Sequence, residues 1–307
     1  MKNVIIFLLL VVLVGGGAYV YMYGVPKGFS GTEVATNDQT IMQPTSNTQE
    51  KQATTTPKLG ANGTSIGKSV QGRDILAYTF GTGAKKLVFV GGIHGGYEWN
   101  TVLIAYQLVD YLKANPSAVP ANEQITVVPV LNPDGLNKVV GSDGRFAASD
   151  VPASQDVQVS GRFNANNVDL NRNFDCDWQP SGMWQNTAVD GGSTVFSEPE
   201  SSALRDFIGT YAPTAFVGYY SSAGGVYSSS CNGGVSAQTA ALTNAYAKAS
   251  GYPGHASFDS YAITGDMENW LAKEKIPAIS VLLTNHQDTE WTKNLAGVKA
   301  LMAYYAK

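Results

Sequence analysis

The chain has 307 residues, 44% of them hydrophobic, enough to bury one large core. Its formal net charge of −4 supplies no basic field, so no nucleic-acid partner is expected. Charged residues make up only 14%, while Gly and Tyr are plentiful, a composition that suits a loop-rich protein outside the cytoplasm.

Lys2 precedes an apolar run over residues 4–14, and the apolar character continues to residue 23, about long enough to cross a bilayer as a helix. The small residues Gly15 to Ala18 offer a signal-peptidase site, whereas Tyr19, Tyr21 and Tyr23 suit an interfacial belt. Residues 1–24 are therefore read as a signal-anchor or transmembrane helix that keeps the protein membrane-anchored or secreted, with its domain outside the cytoplasm. Residues 25–60 are rich in Thr, Gln, Asn and Ser and lack apolar periodicity, which predicts a flexible polar stalk. A single domain is expected over residues 61–307.

Residues 75–80 read as an early strand. Residues 87–90 read as a buried one, four apolar residues between Lys85-Lys86 and Gly91-Gly92. From Trp99 the period changes: Val102, Tyr106, Val109 and Leu112 recur at helical spacing up to Asn115-Pro116. His94 and Glu98 thus fall on a strand-to-helix turn, where an α/β sheet exposes its ligand groups. Such a pair reaches a single zinc ion; equally, the imidazole can bond its own loop while the carboxylate favours the helix N-terminus. Residues 125–131 predict a second buried strand, ending at the turn signal Asn132-Pro-Asp-Gly135, and a long polar excursion follows over residues 136–167. Close by, Arg162, Asn171 and Arg172 make a clamp for an anionic end group, or the two arginines lie at the surface, solvated or paired with Asp169 and Asp175.

Taken together, His94…Glu98-Trp99, Asn132-Pro-Asp-Gly135, Val168-Asp-Leu-Asn-Arg-Asn-Phe174, Phe196-Ser-Glu-Pro-Glu200 and Tyr261-Ala-Ile-Thr-Gly-Asp266 resemble, in order, the zinc metallocarboxypeptidases of the carboxypeptidase A-like family. The resemblance runs from about residue 63 to residue 307. It implies a mixed, twisted sheet of about eight strands flanked by helices. It also implies zinc as cofactor and a hydrolase that removes C-terminal residues from peptides or from cell-wall stem peptides. Position by position, His94 and Glu98 look like the first two zinc ligands, Arg162 like the oxyanion arginine, Asn171 and Arg172 like the binders of a terminal carboxylate, and Tyr261 like the mobile tyrosine over the substrate. The family pattern further implies that Cys176 and Cys231, the only two cysteines, meet at the cleft as a disulfide.

The chain departs from that pattern at three places. His94 and Glu98 are separated by three residues where the family has two. Tyr220 stands where the third ligand, a histidine, belongs, and Leu282 stands where the general base, a glutamate, belongs. A neutral phenol is a poor substitute for imidazole on zinc, and leucine moves no proton. Of the remaining candidates, His286 is read as a loop or core histidine, His255 as a loop residue and Glu268 as the nearest displaced base. The alternative to a peptidase is thus a catalytically silent module that binds peptide C-termini.

Overall fold

The computed structural model describes residues 59–307, so the expected anchor and nearly all of the expected stalk lie outside the described residues. Strand β3 (Lys85–Val90) shows how the core is built: Leu87 and Phe89 enter one apolar cluster, and Val88 and Val90 enter the other. Successive side chains of a strand point to opposite faces, and a strand buried on both faces reads as a continuous apolar run.

Seven further strands join it: β1 (Thr64–Lys68), β2 (Asp74–Gly81), β4 (Glu123–Val128), β7 (Ala215–Ser221), β8 (Gly225–Ser228), β9 (Gly254–His255) and β10 (Ala278–Leu283). Their spatial order is β1-β2-β4-β3-β7-β10-β8-β9. The centre, β4-β3-β7-β10, is parallel, while β1 with β2, β2 with β4, and β10 with β8 are antiparallel. The expected mixed eight-stranded sheet is the one observed. A separate hairpin, β5 (Ser181–Trp184) and β6 (Thr187–Asp190), forms its own two-stranded sheet.

Helices cover both faces. On one side α1 (Trp99–Ala114), α5 (Ala237–Ser250) and α7 (Trp291–Tyr305) insert Ile104, Leu108, Leu242, Tyr246, Val298 and Leu301 into the first cluster. On the other, α4 (Pro199–Tyr211) and α6 (Met267–Lys273) insert Leu204, Ile208, Met267 and Leu271 into the second. Two shorter helices, α2 (Pro133–Val140) and α3 (Gln155–Ser160), lie in the segment between β4 and β5. No helix among the described residues is long and apolar enough to cross a membrane.

Two expectations are corrected. The strand expected over residues 125–131 ends at Val128, and Asn132-Pro-Asp-Gly135 opens α2 instead of turning the chain. The Asn132 side chain accepts from Gly135 N at 2.8 Å and Pro133 occupies the first turn, so the motif is a helix cap made from residues that also favour turns. The excursion over residues 136–167 accordingly holds most of α2 and all of α3. The expected disulfide is present: Cys176 and Cys231 are bonded with their Cα atoms 6.1 Å apart.

Candidate active-site cleft

Ligand groups collect where the parallel strands end. His94 follows β3, Asn132 follows β4, and Tyr220 and Leu282 close β7 and β10, so all four lie at the carboxyl edge of the central sheet. Tyr220 and Leu282 are direct partners in the β7–β10 register, on the same face. They line a cleft of about 930 Å³ together with His94, Glu98, Arg162 and Asn171.

The three-residue interval between His94 and Glu98 is absorbed by consecutive tight turns, Gly95 N bonding Gly92 O and Tyr97 N bonding His94 O. Gly95 takes φ +44°, and a Cβ there would stand 2.6 Å from Gly161 O and 2.7 Å from Gly135 C. The turn therefore lies backbone against backbone with the loops that carry Asn132 and Arg162, which only glycine permits. The result is that His94 Nδ1 and Glu98 Oε1 meet at 3.0 Å despite the extra residue.

Around them sits a buried quartet of charges. His94 Nε2 is 3.3 Å from Asp169 Oδ1, and Arg162 donates to Asp169 Oδ2 through Nε at 3.1 Å and Nη2 at 2.8 Å. Arg162 Nη1 is 3.9 Å from Glu98 Oε1, and the guanidinium stacks 4.4 Å from the Trp184 ring. Burial alone would raise the Asp169 carboxyl, but Arg162 and His94 hold it well below the carboxylate range. Burial and Arg162 both push the His94 imidazole down; Glu98 and Asp169 outweigh them and raise it above its ordinary value.

Tyr220 is committed elsewhere. Its hydroxyl donates to Glu268 Oε2 at 2.7 Å and lies 3.3 Å from Asn171 Oδ1, while its ring meets that of His94 edge-on at 5.8 Å between centroids. Burial, and then the Glu268 carboxyl, raise the phenol well above its usual value, so it stays neutral. Burial and Asp266 push Glu268 up to about 8. Its other oxygen, Oε1, has no hydrogen-bond partner among the described residues. Glu268, read from the sequence as the nearest displaced base, is thus the anchor of the Tyr220 hydroxyl.

The other expected residues divide. Asn171 and Tyr261 line the cleft, and Tyr261 packs edge-on against Phe258. Arg172 is buried: its Nη2 donates to Met183 O at 2.7 Å and its Nη1 to Thr264 O at 3.5 Å, with the Tyr261 ring 5.8 Å away. His255 stacks on Tyr227 on the exposed edge strand β9. His286, read from the sequence as a loop or core residue, lines the cleft, with its ring 4.7 Å from Tyr97 and its Nδ1 2.9 Å from Ser221 Oγ. The signal for it was positional: it follows the carboxyl end of a central parallel strand, where ligand-facing residues gather.

Zinc is what the sequence pattern implies, and two donors suit it. His94 Nδ1 is buried without a hydrogen-bond partner, and 3.0 Å from Glu98 Oε1 is a separation that two ligand atoms of one ion share. A catalytic zinc site takes three protein ligands, and here the third position holds a neutral phenol bonded to a carboxyl group. Among the described residues, one trio of His, Cys, Asp or Glu has its ligand atoms within reach of one another: Cys176, Asp177 and Cys231, whose sulfurs form the disulfide. The residues present do not fit a three-ligand catalytic zinc centre.

A three-layer α/β/α fold with a cleft at the carboxyl ends of its central strands, built around a His/Glu pair and an Arg–Asp pair, defines a metallopeptidase-like protein. The profile of the zinc carboxypeptidase family matches residues 48–291, and the chain belongs to that family. It is 35% identical over 123 residues to carboxypeptidase Z of Homo sapiens, a stretch covering 36% of this chain and 18% of that one. It is 32% identical over 165 residues to gamma-D-glutamyl-L-diamino acid endopeptidase 1 of Lysinibacillus sphaericus, covering 47% and 41%. The matched stretch is thus less than half the length of each of these relatives. In fold it is similar to the murein-tripeptide amidase MpaA from Escherichia coli O157, with TM-score 0.55, 20% identity, and coverage of 80% of this chain and 91% of that one.

Proposed function

We propose that the chain is an extracytoplasmic, membrane-anchored member of its family that binds the C-terminal end of peptides, cell-wall stem peptides among them, and hydrolyses them poorly or not at all. The observation that carries this reading is the register pair Tyr220–Leu282. The resemblance assigns those two neighbouring positions to a ligand and a base, and they hold a phenol locked to Glu268 and an alkyl group. Without a base, hydrolysis forgoes roughly 10²–10⁴-fold of rate enhancement before any metal is considered.

Binding requires less. Arg162, Asn171 and Tyr261 still line the cleft, and Arg172, outside that lining, holds its guanidinium 5.8 Å from the Tyr261 ring. These four are the proposed recognition set for a terminal carboxylate. The stem-peptide ligand is suggested by the names of two of the proteins it resembles, a murein-tripeptide amidase and a gamma-D-glutamyl-L-diamino acid endopeptidase. Location outside the cytoplasm is supported by the apolar residues 4–23 and by the disulfide, which persists in oxidising compartments.

The test is calorimetry of the full-length chain with an N-acetylated tripeptide, as free acid and as amide, alongside metal analysis. The free acid is expected to bind about tenfold tighter or more, as a lost charge-assisted hydrogen bond requires. Zinc is expected well below one equivalent. Equal affinity for the two forms removes the carboxylate site. Stoichiometric zinc with release of C-terminal residues at about 1 s⁻¹ or faster, the ordinary enzyme range, overturns the silent reading.

A further inference from the structure

A chain of hydrogen bonds that the reading above does not use ends at His286. Asn100, buried at the start of α1, donates through Nδ2 to Asn285 O at 2.7 Å and to Asp288 O at 3.0 Å. Two carbonyl partners fix the orientation of the amide, since the flipped form would set oxygen against oxygen twice. Asn100 Oδ1 then faces Ser221 Oγ at 3.0 Å, and an amide oxygen only accepts, so Ser221 gives it its single hydroxyl proton. Ser221 Oγ is left to accept, and its other neighbour is His286 Nδ1 at 2.9 Å. The proton on that imidazole is therefore on Nδ1. Burial lowers the affinity of the ring for a second proton. Nε2 is left with a free lone pair, and no hydrogen bond from another described residue reaches it.

We propose that His286 Nε2 is the cleft's hydrogen-bond acceptor for a backbone N–H of the bound peptide, held in the Nδ1–H tautomer by Ser221 and Asn100. This rests on the cleft being a peptide-binding site. The surroundings fit the role. The ring lies against Tyr97, which is itself edge-on to Trp184 at 5.1 Å, so it is packed in place. Leu282, which lines the same cleft, offers no polar group. A neutral acceptor also complements the donors that would hold the carboxylate: the far end of a C-terminal residue presents oxygen, and the amide before it presents N–H. Sequence neighbours link the two halves, since Ser221 follows Tyr220 directly and so places the His286 relay beside the abandoned ligand position.

The experiment uses the full-length chain labelled with ¹⁵N at histidine. Probes are N-acetyl-Ala-Ala-Lys as free acid and two depsipeptides of the same sequence, each with one amide replaced by an ester. Long-range ¹H–¹⁵N spectra are expected to show His286 as the Nδ1–H tautomer, and Ser221→Ala to convert it to the commoner Nε2–H form. The all-amide peptide is expected to move the Nε2 resonance and to bind about fivefold tighter than one of the esters, the scale of one net hydrogen bond. In His286→Phe that difference should collapse to within a factor of two. Equal binding of all three peptides with an unmoved Nε2 signal overturns the proposal and leaves the peptide-binding reading standing. An Nε2–H tautomer in the wild-type chain overturns it as well. If none of the three binds, the peptide-binding reading falls and this proposal falls with it, whatever the tautomer.

Discussion

Replacing Tyr220 with histidine tests whether this cleft is one ligand short of a metal site. The change removes the hydroxyl that donates to Glu268 Oε2 at 2.7 Å, and Glu268 Oε1 already lacks a partner, so the buried carboxyl loses its short Tyr220 contact. A buried group left unsatisfied costs about 1–3 kcal/mol, so the metal-free variant is expected to melt below the wild type. Zinc should then reverse the loss. His94 Nδ1 and Glu98 Oε1 are already 3.0 Å apart, and a third imidazole completes the set of a catalytic centre. A micromolar site at a hundredfold excess of free zinc adds about 2.7 kcal/mol. At roughly 2–4 °C per kcal/mol, that is a rise of about 5–10 °C for a domain of this size. Thermal unfolding of the full-length wild type and Tyr220→His, each with zinc and with chelator, reads the difference directly. Leu282→Glu should then raise peptide hydrolysis by roughly 10²–10⁴-fold, and only in the Tyr220→His background. A zinc-dependent rise of the same size in the wild type would refute the reasoning, because His94 and Glu98 would then have found a third ligand without help.

Glu123 is buried with neither carboxylate oxygen partnered among the described residues, and burial pushes its pKa up from 4.5 to about 7. The unfolded chain releases this proton first, so wild-type stability should fall as pH rises from about 4.5 to 7 and stay lower above; urea titrations should show Glu123→Gln gaining about 1–3 kcal/mol on the wild type across that window, and a constant gap would contradict it. Glu290 behaves oppositely. Burial alone would raise it, but Lys293, Tyr252 and Thr284 bring it down from 4.5 to about 2, so its stabilisation is present above 4.5 and lost as pH falls towards 2. The melting-point deficit of Glu290→Gln should accordingly be largest near neutrality and vanish at about pH 2. Replacing both Cys176 and Cys231 by serine opens a link across 55 residues, which chain entropy values at about 4 kcal/mol, measurable as a lower urea midpoint with a steeper slope because the unlinked chain unfolds further.

The central strands were legible because they are buried on both faces, and α1 because its apolar residues keep a 3.6 period. The sheet order was not. Nothing local in β1 or β9 says that they form the two edges, and the count of eight strands came from resemblance. Asn132 misled because a side chain that caps a helix is also one that makes a turn, and the choice depends on α2 packing where it does. In the site, His94, Glu98 and Arg162 do line one cleft, as the resemblance implies. Asp169 was open as a partner of the arginines and does pair with Arg162, but its contact with His94 was not legible, nor was Glu268, which claims Tyr220 from a helix 48 residues further along. His286 escaped because its role is set by Asn100 and Ser221, which come from two other segments of the chain.

The contact of Gly95 with Gly135 and Gly161 bears on how this cleft can change over time. The turn after β3, the first turn of α2 and the end of α3 meet there backbone to backbone, and a methyl group at Gly95 or Gly135 would stand 2.4–2.7 Å from a neighbouring backbone. Substitution at any of the three would pry apart the mounts of His94, Asn132 and Arg162 together, so the frame tolerates almost no drift. Tyr220 and Leu282, by contrast, are register partners at strand ends and take no part in that three-way backbone contact. The frame of the cleft is thus set by backbone contact, separately from the Tyr220 and Leu282 side chains that line it.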